Sequence, residues 1–252
     1  MIKILHVVSS LSIRSGVMSV LMNYYRNIDK DKIQFEFCYF VDREDTYEDE
    51  INSMGGRVIR IPRPSLSRSF LAELNNFFKQ QKDAYLALHI HEVYLTSLFA
   101  PIVKRNGIKN IITHSHATMY SDKKSNALRN RILCMPIKKL ANYHYSCSEA
   151  AGKFLYGKKH FEAGKVKVIN NAINCESYKF NSEIRGGMRE KLGLKDHLVI
   201  GNVGRFNEQK NHSFLIDIFY SMRQKKEKVI LLLVGDGPLF QNIKEKVDKL
   251  NL

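Results

Sequence analysis

Short apolar runs alternate with helix-forming segments along the whole chain, and this alternation limits the fold more than any other feature. The first run, IKILHVV, covers residues 2–8 and precedes a predicted helix at 17–28. Parallel strands cannot be joined by a tight hairpin and need a crossover segment, which is usually a helix. The sequence therefore predicts an α/β fold with a doubly wound parallel sheet, in which helices cover both faces.

The elements predicted for the first part of the chain complete such a sheet. The predicted strands are 2–8, 33–41, 57–61, 85–92, 110–117, 143–148 and 165–171. The predicted helices are 17–28, 43–55, 70–81, 94–105 and 124–143. Because proline lacks the amide hydrogen that a helix interior needs, the last of these helices is expected to kink at Pro136.

The pattern restarts after Tyr178. The elements predicted there are a helix at 183–194, a strand at 198–203, a helix at 212–224, a strand at 228–235 and a helix at 239–250. Two strands do not make a sheet that can bury both faces. We therefore expect a complete N-terminal domain at 1–178 and, at 179–252, the first part of a second Rossmann-like domain.

The charge balance predicts an anionic partner. The chain has 40 Lys and Arg residues against 25 Asp and Glu residues, a formal net charge of +15. Nucleic acid, anionic lipid and phosphorylated small molecules all fit this excess. Four cysteines without paired spacing argue against a disulfide framework or a zinc site. Since no apolar stretch is long enough to span a membrane, we expect a cytoplasmic protein, soluble or peripheral at a membrane surface.

The segment GRFNEQKN, residues 204–211, joins a predicted strand to a predicted helix. Ligands of open parallel sheets bind beyond the carboxyl ends of the strands, so this segment lies where a ligand is expected. Arg205 and Lys210 place two cations beside a helix N-terminus, which suits a diphosphate. The glycines of a Walker P-loop are missing. Side chains are therefore expected to neutralise the phosphates in place of a glycine-rich backbone.

Other residues follow predicted strands at the same rim. Gly16 precedes the first helix, where the missing side chain lets the backbone approach a ligand. Asn170 and Asn171 follow the seventh strand, and Gly235 and Gly237 form the tight turn GDGP after the last one. Each position also fits an ordinary turn or connection.

Four histidines lie at the ends of two predicted strands: His89, His91, His114 and His116. Strand alternation places the members of each pair on one face. Four imidazoles could form a metal site, bond a sugar or phosphate, or be satisfied within the protein. A hydrolytic metal centre would usually add carboxylate ligands. Their shortage at the later strand ends argues against such a centre, so no metal is expected.

These residues together resemble the family 4 glycosyltransferases of the two-domain GT-B type, and among them bacterial capsule and exopolysaccharide enzymes. The matching stretches, in the family's order, are KILHVVSSLSIRSG, THSHAT, YSCSEAAGKFL, KVKVINNAINCESY, GNVGRFNEQKNHSFLI and LLLVGDGPL. The combination of GRFNEQKN and VGDGP is the most specific part. The resemblance implies a retaining hexosyl transfer from a nucleotide-sugar, such as a UDP-sugar, to a polysaccharide or lipid-linked oligosaccharide, without metal or cofactor.

The resemblance also implies roles for single residues. The first domain would receive the acceptor and the second would hold the donor, with the reaction in the cleft. Arg205 and Lys210 match the pair that stabilises the departing diphosphate. Gly16 matches the glycine loop near the donor phosphates, and His116 matches the histidine that faces the transferred sugar. Four more residues are expected to line the cleft: His91, Asn171, Gly235 and Gly237.

In this family a Glu-x7-Glu motif follows the GDGP stretch and contacts the donor sugar and the ribose. The 252 residues end before such a motif. We therefore expect a half-built donor site, and no sugar transfer by the 252-residue chain itself.

A basic stretch at 123–148 contains six Lys or Arg residues and no Asp or Glu. Leu128, Ile132 and Met135 recur in it at helical spacing. These three could face the core, or could join the basic residues in a docking face over 123–139 for an anionic membrane.

Two rival functions also fit single features of the sequence. A metal-dependent hydrolase could be built on the four histidines. A nucleic-acid-binding protein would fit the charge, but no recognition motif for nucleic acid is present, so no such partner is expected.

Overall fold

The computed structural model describes residues 1–194 and 196–252. The chain forms two compact units, Met1–Asn174 and Cys175–Leu252. The boundary predicted after Tyr178 falls in the opening segment of the second unit. No helix among the described residues combines the length and apolarity needed to cross a lipid bilayer.

The first unit contains a seven-stranded sheet in which every pairing is parallel. Its strands are β1 (Ile2–Val7), β2 (Ile33–Tyr39), β3 (Arg57–Arg60), β4 (Ala87–Ile90), β5 (Asn110–Ser115), β6 (Tyr143–Ser146) and β7 (Val166–Val168). Their spatial order is β3-β2-β1-β4-β5-β6-β7. The chain therefore winds outward from β1 in one direction and then in the other, which confirms the predicted α/β class.

Helices of the first unit cover the sheet on both faces. They are α1 (Gly16–Asn27), α2 (Glu48–Ser53), α3 (Arg68–Gln80), α4 (Thr96–Arg105), α5 (Lys124–Cys134), α6 (Ile137–Leu140), α7 (Glu149–Tyr156) and α8 (Lys158–Glu162). Alternate side chains of β1 pack into two different cores, one on each face of the sheet. Leu5 and Val7 belong to the core that α3 and α4 complete. On the other face, α1 packs on Phe35 and Phe37 of β2.

Apart from shifts of a few residues at the ends of elements, the structure differs from the prediction at three places. Helix α2 covers only part of the predicted 43–55, because Thr46 instead forms an antiparallel bridge with Ser12. The predicted helix 124–143 is divided at Pro136, where α5 ends and α6 begins. Helices α7 and α8, between β6 and β7, occupy a stretch for which no helix was predicted.

The second unit holds a two-stranded parallel sheet and its helices. Its elements are α9 (Ser182–Lys191), β8 (Leu198–Val203), α10 (His212–Arg223), β9 (Val229–Val234) and α11 (Phe240–Lys249). Strand β8 has the predicted bounds. The core of this unit is formed by Phe206, Ile216 and Ile243, with Leu231 and Leu233 packed against it. Phe206 thus fixes the loop after β8 to the body of the unit.

Candidate functional site

The loop after β8 is held by local hydrogen bonds. Asn207 caps a short 3-10 turn at Glu208–Lys210, and its side-chain oxygen accepts from the Lys210 amide at 3.3 Å. Asn211 then takes a left-handed conformation, with φ of 46°, before α10 begins at His212. The predicted strand–loop–helix unit is therefore present, with Arg205 and Lys210 both in its connection.

The loop after β9 packs backbone to backbone on this connection. The amides of Gly204 and Phe206 each donate a hydrogen bond of 2.9 Å, to the carbonyl oxygens of Val234 and Asp236. A Cβ atom on Gly235 would lie 2.0 Å from the Gly204 carbonyl oxygen, and one on Gly237 would lie 2.5 Å from that of Phe206. Both glycines also have positive φ, of 152° and 157°. They are required where they stand because no side chain fits between the two loops.

Arg205 and Lys210 project from this supported loop without a counter-charge. Both residues are exposed, and neither side chain forms an ion pair or hydrogen bond with another described residue. The aliphatic part of Lys210 lies over Gly204, where a Cβ would be 3.3 Å from the Lys210 Cε atom. Unneutralised cations beyond the carboxyl end of a parallel strand have the charge that a small anion would need.

A buried aromatic pair, which was not predicted from the sequence, lies beneath the loop. The rings of Phe206 and His212 stack at 4.2 Å with an interplanar angle of 5°. Phe206 is 3% exposed and His212 is 2% exposed. Neither ring nitrogen of His212 has a described partner. His212 therefore acts as a packing surface that fixes the start of α10, and its place directly after the loop was the available signal.

A row of five histidines lies in the first unit, on the sheet face that α1 covers. Its members are His6 on β1, His89 and His91 at β4, and His114 and His116 at β5. His91 is the centre of the row. Its Nε2 atom lies 3.0 Å from Nδ1 of His6, and its Nδ1 atom lies 2.9 Å from Nε2 of His116. The four predicted histidines are thus brought together, and His6 joins them from mid-strand.

These contacts order the protons of the row. A neutral imidazole carries one N–H, so His91 must donate through one ring nitrogen and accept through the other. The protonation pattern of His116 is thereby coupled to that of His6, two strands away. His89 and His114 form a second contact at 3.2 Å. The Nδ1 atom of His116 takes no part in these contacts.

Burial keeps the whole row uncharged. It lowers the pKa of His6 to about 3 and that of His116 to about 4. Burial, together with neighbouring His116 and His89, lowers the pKa of His114 to about 2. The pKa values of His89 and His91 are likewise held well below 6.5, with burial the main cause. A row of neutral donors and acceptors suits a neutral hydroxyl-rich ligand better than an anion.

Two triads within the row could hold a metal ion. One is His6, His89 and His91, and the other is His91, His114 and His116. In each triad the ligand atoms lie within 4.8 Å of one another. Every nitrogen used in the contacts above would have to give up a hydrogen bond to bind a metal. The carboxylate of Glu92, next to the row in sequence, bonds Ser9 and belongs to neither triad.

Gly16 and Asn171 both lie near α1, the first in its opening turn and the second in a segment that contacts Asn23 and Tyr24. Gly16 opens the helix after Ser15, whose side chain caps the Met18 amide at 3.3 Å. A Cβ atom on Gly16 would meet nothing within 4 Å, so packing does not require a glycine there. Asn171 lies in the segment after β7, which is tied to the second half of α1. The Tyr24 hydroxyl donates to the Asn170 carbonyl oxygen at 2.7 Å.

Comparison with known proteins assigns the chain to a family. Residues 185–252 match the family model for glycosyl transferases group 1. The chain is 31% identical to EpsF of Bacillus subtilis strain 168, a protein named as a glycosyltransferase. The match covers 99% of this chain and 66% of EpsF. It is 23% identical to CapH of Staphylococcus aureus, a capsular polysaccharide biosynthesis glycosyltransferase, over 89% of this chain and 59% of CapH.

Solved structures show the same fold. HepE from Anabaena, in complex with UDP and glucose, matches 100% of this chain and 67% of its own with a TM-score of 0.73 and 18% identity. A glycosyltransferase from Rickettsia africae matches with a TM-score of 0.75 at 15% identity, over 99% of this chain and 64% of its own. The chain spans about two thirds of the length of EpsF. It belongs to the group 1 glycosyltransferases of the GT-B fold.

Proposed function

We propose that the protein to which this chain belongs transfers a sugar from a UDP-sugar to a saccharide or lipid-linked acceptor, in exopolysaccharide or capsule synthesis. The observation that carries the proposal is the pair of unneutralised cations, Arg205 and Lys210, on a loop inside the segment that matches the family. UDP in the HepE structures supports the choice of nucleotide. Capsule synthesis in the name of CapH supports the choice of pathway.

The two cations would act mainly on the leaving group. Negative charge develops on the diphosphate as the bond to the sugar breaks, so fixed cations stabilise the transition state more than the ground state. Arg205 offers a planar fork for two phosphate oxygens, and Lys210 offers a point charge. The packed glycine turn at Gly235 and Gly237 would keep both in place, because loop movement would weaken this stabilisation.

His116 would serve the sugar. It is neutral near pH 7, and its Nδ1 atom is not used by His91, so it can hydrogen-bond a sugar hydroxyl without placing a charge beside it. His91 would orient that ring through their 2.9 Å contact. We propose that the transfer proceeds with retention and without a metal ion, and that Gly16 and Asn171 line the donor and acceptor regions.

Family membership favours this function over a metal-dependent hydrolase or a nucleic-acid-binding protein. A metal-dependent hydrolase built on the histidines would leave the two cations on the strand-end loop without a role. We propose that the enzyme works in the cytoplasm, where nucleotide-sugars are made.

Sugar transfer in the full-length enzyme tests the proposal. With a radiolabelled UDP-sugar, Lys210→Ala should lower kcat/KM by on the order of 100-fold, since one well-placed transition-state donor contributes about that much. The matched control is Lys225→Ala, which removes an exposed lysine after α10 in the same unit. An unchanged kcat/KM in Lys210→Ala would contradict the assignment.

A further inference from the structure

One triad of the histidine row lies at the edge of the sheet. It consists of His91, His114 and His116, whose ligand atoms lie within 4.8 Å of one another. His91 directly follows β4, and His116 directly follows β5. These are the carboxyl ends of parallel strands, where such sheets bind their ligands. The other triad instead includes His6 and His89, which lie within their strands.

His114 carries a ring nitrogen that the row does not use. The residue is 4% exposed, and its Nε2 atom has no hydrogen-bond partner among the described residues. A buried polar atom without a partner is costly, because it has given up water and gained nothing in return. A ligand at this nitrogen would remove that cost without breaking a hydrogen bond of the protein.

One arrangement of protons leaves a lone pair on a nitrogen of each of the three residues. When His91 donates from Nε2 to His6, at 3.0 Å, its Nδ1 atom keeps a lone pair. When His114 donates from Nδ1 to His89, at 3.2 Å, its Nε2 atom keeps one. A proton on Nδ1 of His116 leaves its Nε2 atom available. Only the 2.9 Å contact between His91 and His116 is then given up.

His6 and His89 would hold the ligand rings in place. A metal-bound histidine usually donates its other N–H to an acceptor, which fixes the tautomer and the orientation of the ring. Here the acceptors are Nδ1 of His6 and Nε2 of His89. The row therefore contains three ligands and the partners that orient two of them.

We propose that His91, His114 and His116 bind one transition-metal ion. Imidazole nitrogens suit Zn²⁺, Cu²⁺ and Ni²⁺, and three of them leave one position of a tetrahedral site open. The triad has no carboxylate, so it does not match the oxygen ligands that Mg²⁺ and Ca²⁺ need. Zinc–nitrogen bonds of about 2.0–2.1 Å place the ligand atoms roughly 3.4 Å apart. The contact between His91 and His116 would therefore widen slightly, and His116, which is only partly buried, can move to allow it.

A metal ion at this site would inhibit sugar transfer, a consequence that rests on the proposed function. That function assigns His116 to the transferred sugar as a neutral ring. Positive charge develops on a sugar as its glycosidic bond breaks. A divalent cation bound to the same imidazole would raise the energy of that state. The metal-free enzyme is therefore the active form.

Zinc binding by the 252-residue chain tests the site without any measurement of transfer. The two accessible cysteines are first replaced, by Cys147→Ser and Cys175→Ser, so that their thiolates cannot bind the metal. Calorimetry on the metal-free protein should show one Zn²⁺ per chain, and zinc should raise the melting temperature. Bound Co²⁺ should give the strong visible absorption of a four-coordinate ion. Absence of stoichiometric binding, or a six-coordinate Co²⁺ spectrum, would overturn the proposal.

Variants of the row assign the ligands. His89→Phe removes an orienting acceptor and should lower zinc affinity by about tenfold or more. His116→Ala removes a ligand and should lower it further, by about 100-fold or more. The matched control is His160→Ala, because His160 contacts His144 at 3.1 Å in the same unit but outside the row. Circular dichroism checks that each variant is folded. Unchanged affinity in folded His116→Ala, or an equal loss in the control, would contradict the assignment.

Inhibition is measured separately, in the metal-free full-length enzyme. Added Zn²⁺ should suppress sugar transfer, and EDTA should restore it. In His89→Phe, half-inhibition should need more zinc by the same factor as the loss of zinc affinity. Inhibition that His89→Phe does not shift would come from another site and would contradict this one. An enzyme without any transfer activity would contradict the proposed function, whereas a failed zinc titration would contradict the metal site.

Discussion

The histidine row of the first unit and the Arg205–Lys210 loop of the second unit differ in both charge and exposure. The row is made of side chains that burial keeps neutral and that bond one another. The loop displays two exposed cations on a backbone that two glycines allow to pack closely. The row is suited to hydroxyl groups and the loop to phosphate. Under the function proposed above, the row would serve the sugar and the loop would serve the diphosphate.

The largest loss of stability is expected from a substitution at the backbone contact between the loops after β8 and β9. Gly235→Val would place a side chain against the Gly204 carbonyl oxygen and strain a positive φ, so the second unit should lose about 3 kcal/mol or more of stability. Hydrogen exchange of peptides covering β8 and β9 measures it. Gly187→Ala in α9, where a Cβ meets nothing within 4 Å, should instead stabilise by about 0.5–1 kcal/mol. Unchanged protection in Gly235→Val would contradict the packed-loop account.

Much of this second unit could be predicted from its sequence. The bounds of β8 follow from a continuous apolar run, and the turn at Gly235 and Gly237 follows from the sequence GDGP. The close packing of these glycines on the loop after β8 was not predicted, and their place in a cleft stays a prediction. The packing of Phe206 on His212 could not be predicted, since it depends on where α10 begins relative to the loop.

The first unit was harder to predict in detail. Its sheet follows from the alternation of apolar runs, and strand alternation paired four histidines correctly. His6 was missed because a histidine in mid-strand looks like any buried residue until β1 is placed beside β4. The exposure of Leu128, Ile132 and Met135 in and after α5 could not be predicted either, because an apolar stripe indicates which residues share a face but not whether that face is covered.

The next effect concerns pH and the neutral row. The pKa of His6 is about 3 in the folded chain against an ordinary 6.5, so the unfolded chain takes up a proton first as the pH falls. The contribution of neutral His6 to the free energy of unfolding is fully present above pH 6.5. Below pH 6.5 it should decrease by about 1.4 kcal/mol per pH unit. His6→Phe should make urea denaturation less pH-dependent between pH 6.5 and pH 4 while leaving the dependence above pH 7 unchanged. An equal acid dependence in both proteins would show that His6 is not held neutral.

Substitution of His116 should have a smaller effect, and it should affect sugar transfer but not UDP binding. His116→Ala should lower sugar transfer by about tenfold or more in the full-length enzyme, a typical loss for one hydrogen bond to the reacting group. The same variant should bind UDP as the unsubstituted chain does, because UDP lacks the transferred sugar that His116 would contact. Calorimetry checks the second point. A loss of UDP affinity in His116→Ala would indicate that His116 contributes to phosphate binding and would contradict the separate roles of the two regions.

Removal of metal ions is expected to have no effect on sugar transfer. Exhaustive EDTA treatment of the full-length enzyme should leave transfer unchanged, because neutralisation of the diphosphate is assigned to Arg205 and Lys210. Activity that is lost on chelation and restored by zinc or magnesium would move that role to a metal ion, with the two histidine triads as the first candidates.

The most direct test of the diphosphate assignment compares ligands that differ only in phosphate number. UDP, UMP and uridine are titrated into the 252-residue chain and into its Arg205→Ala, Lys210→Ala double variant. Affinity should rise with each phosphate in the unsubstituted chain. This rise should be abolished in the double variant, while any affinity for uridine is kept. A double variant that still prefers UDP over uridine to the same degree would show that the phosphates bind elsewhere.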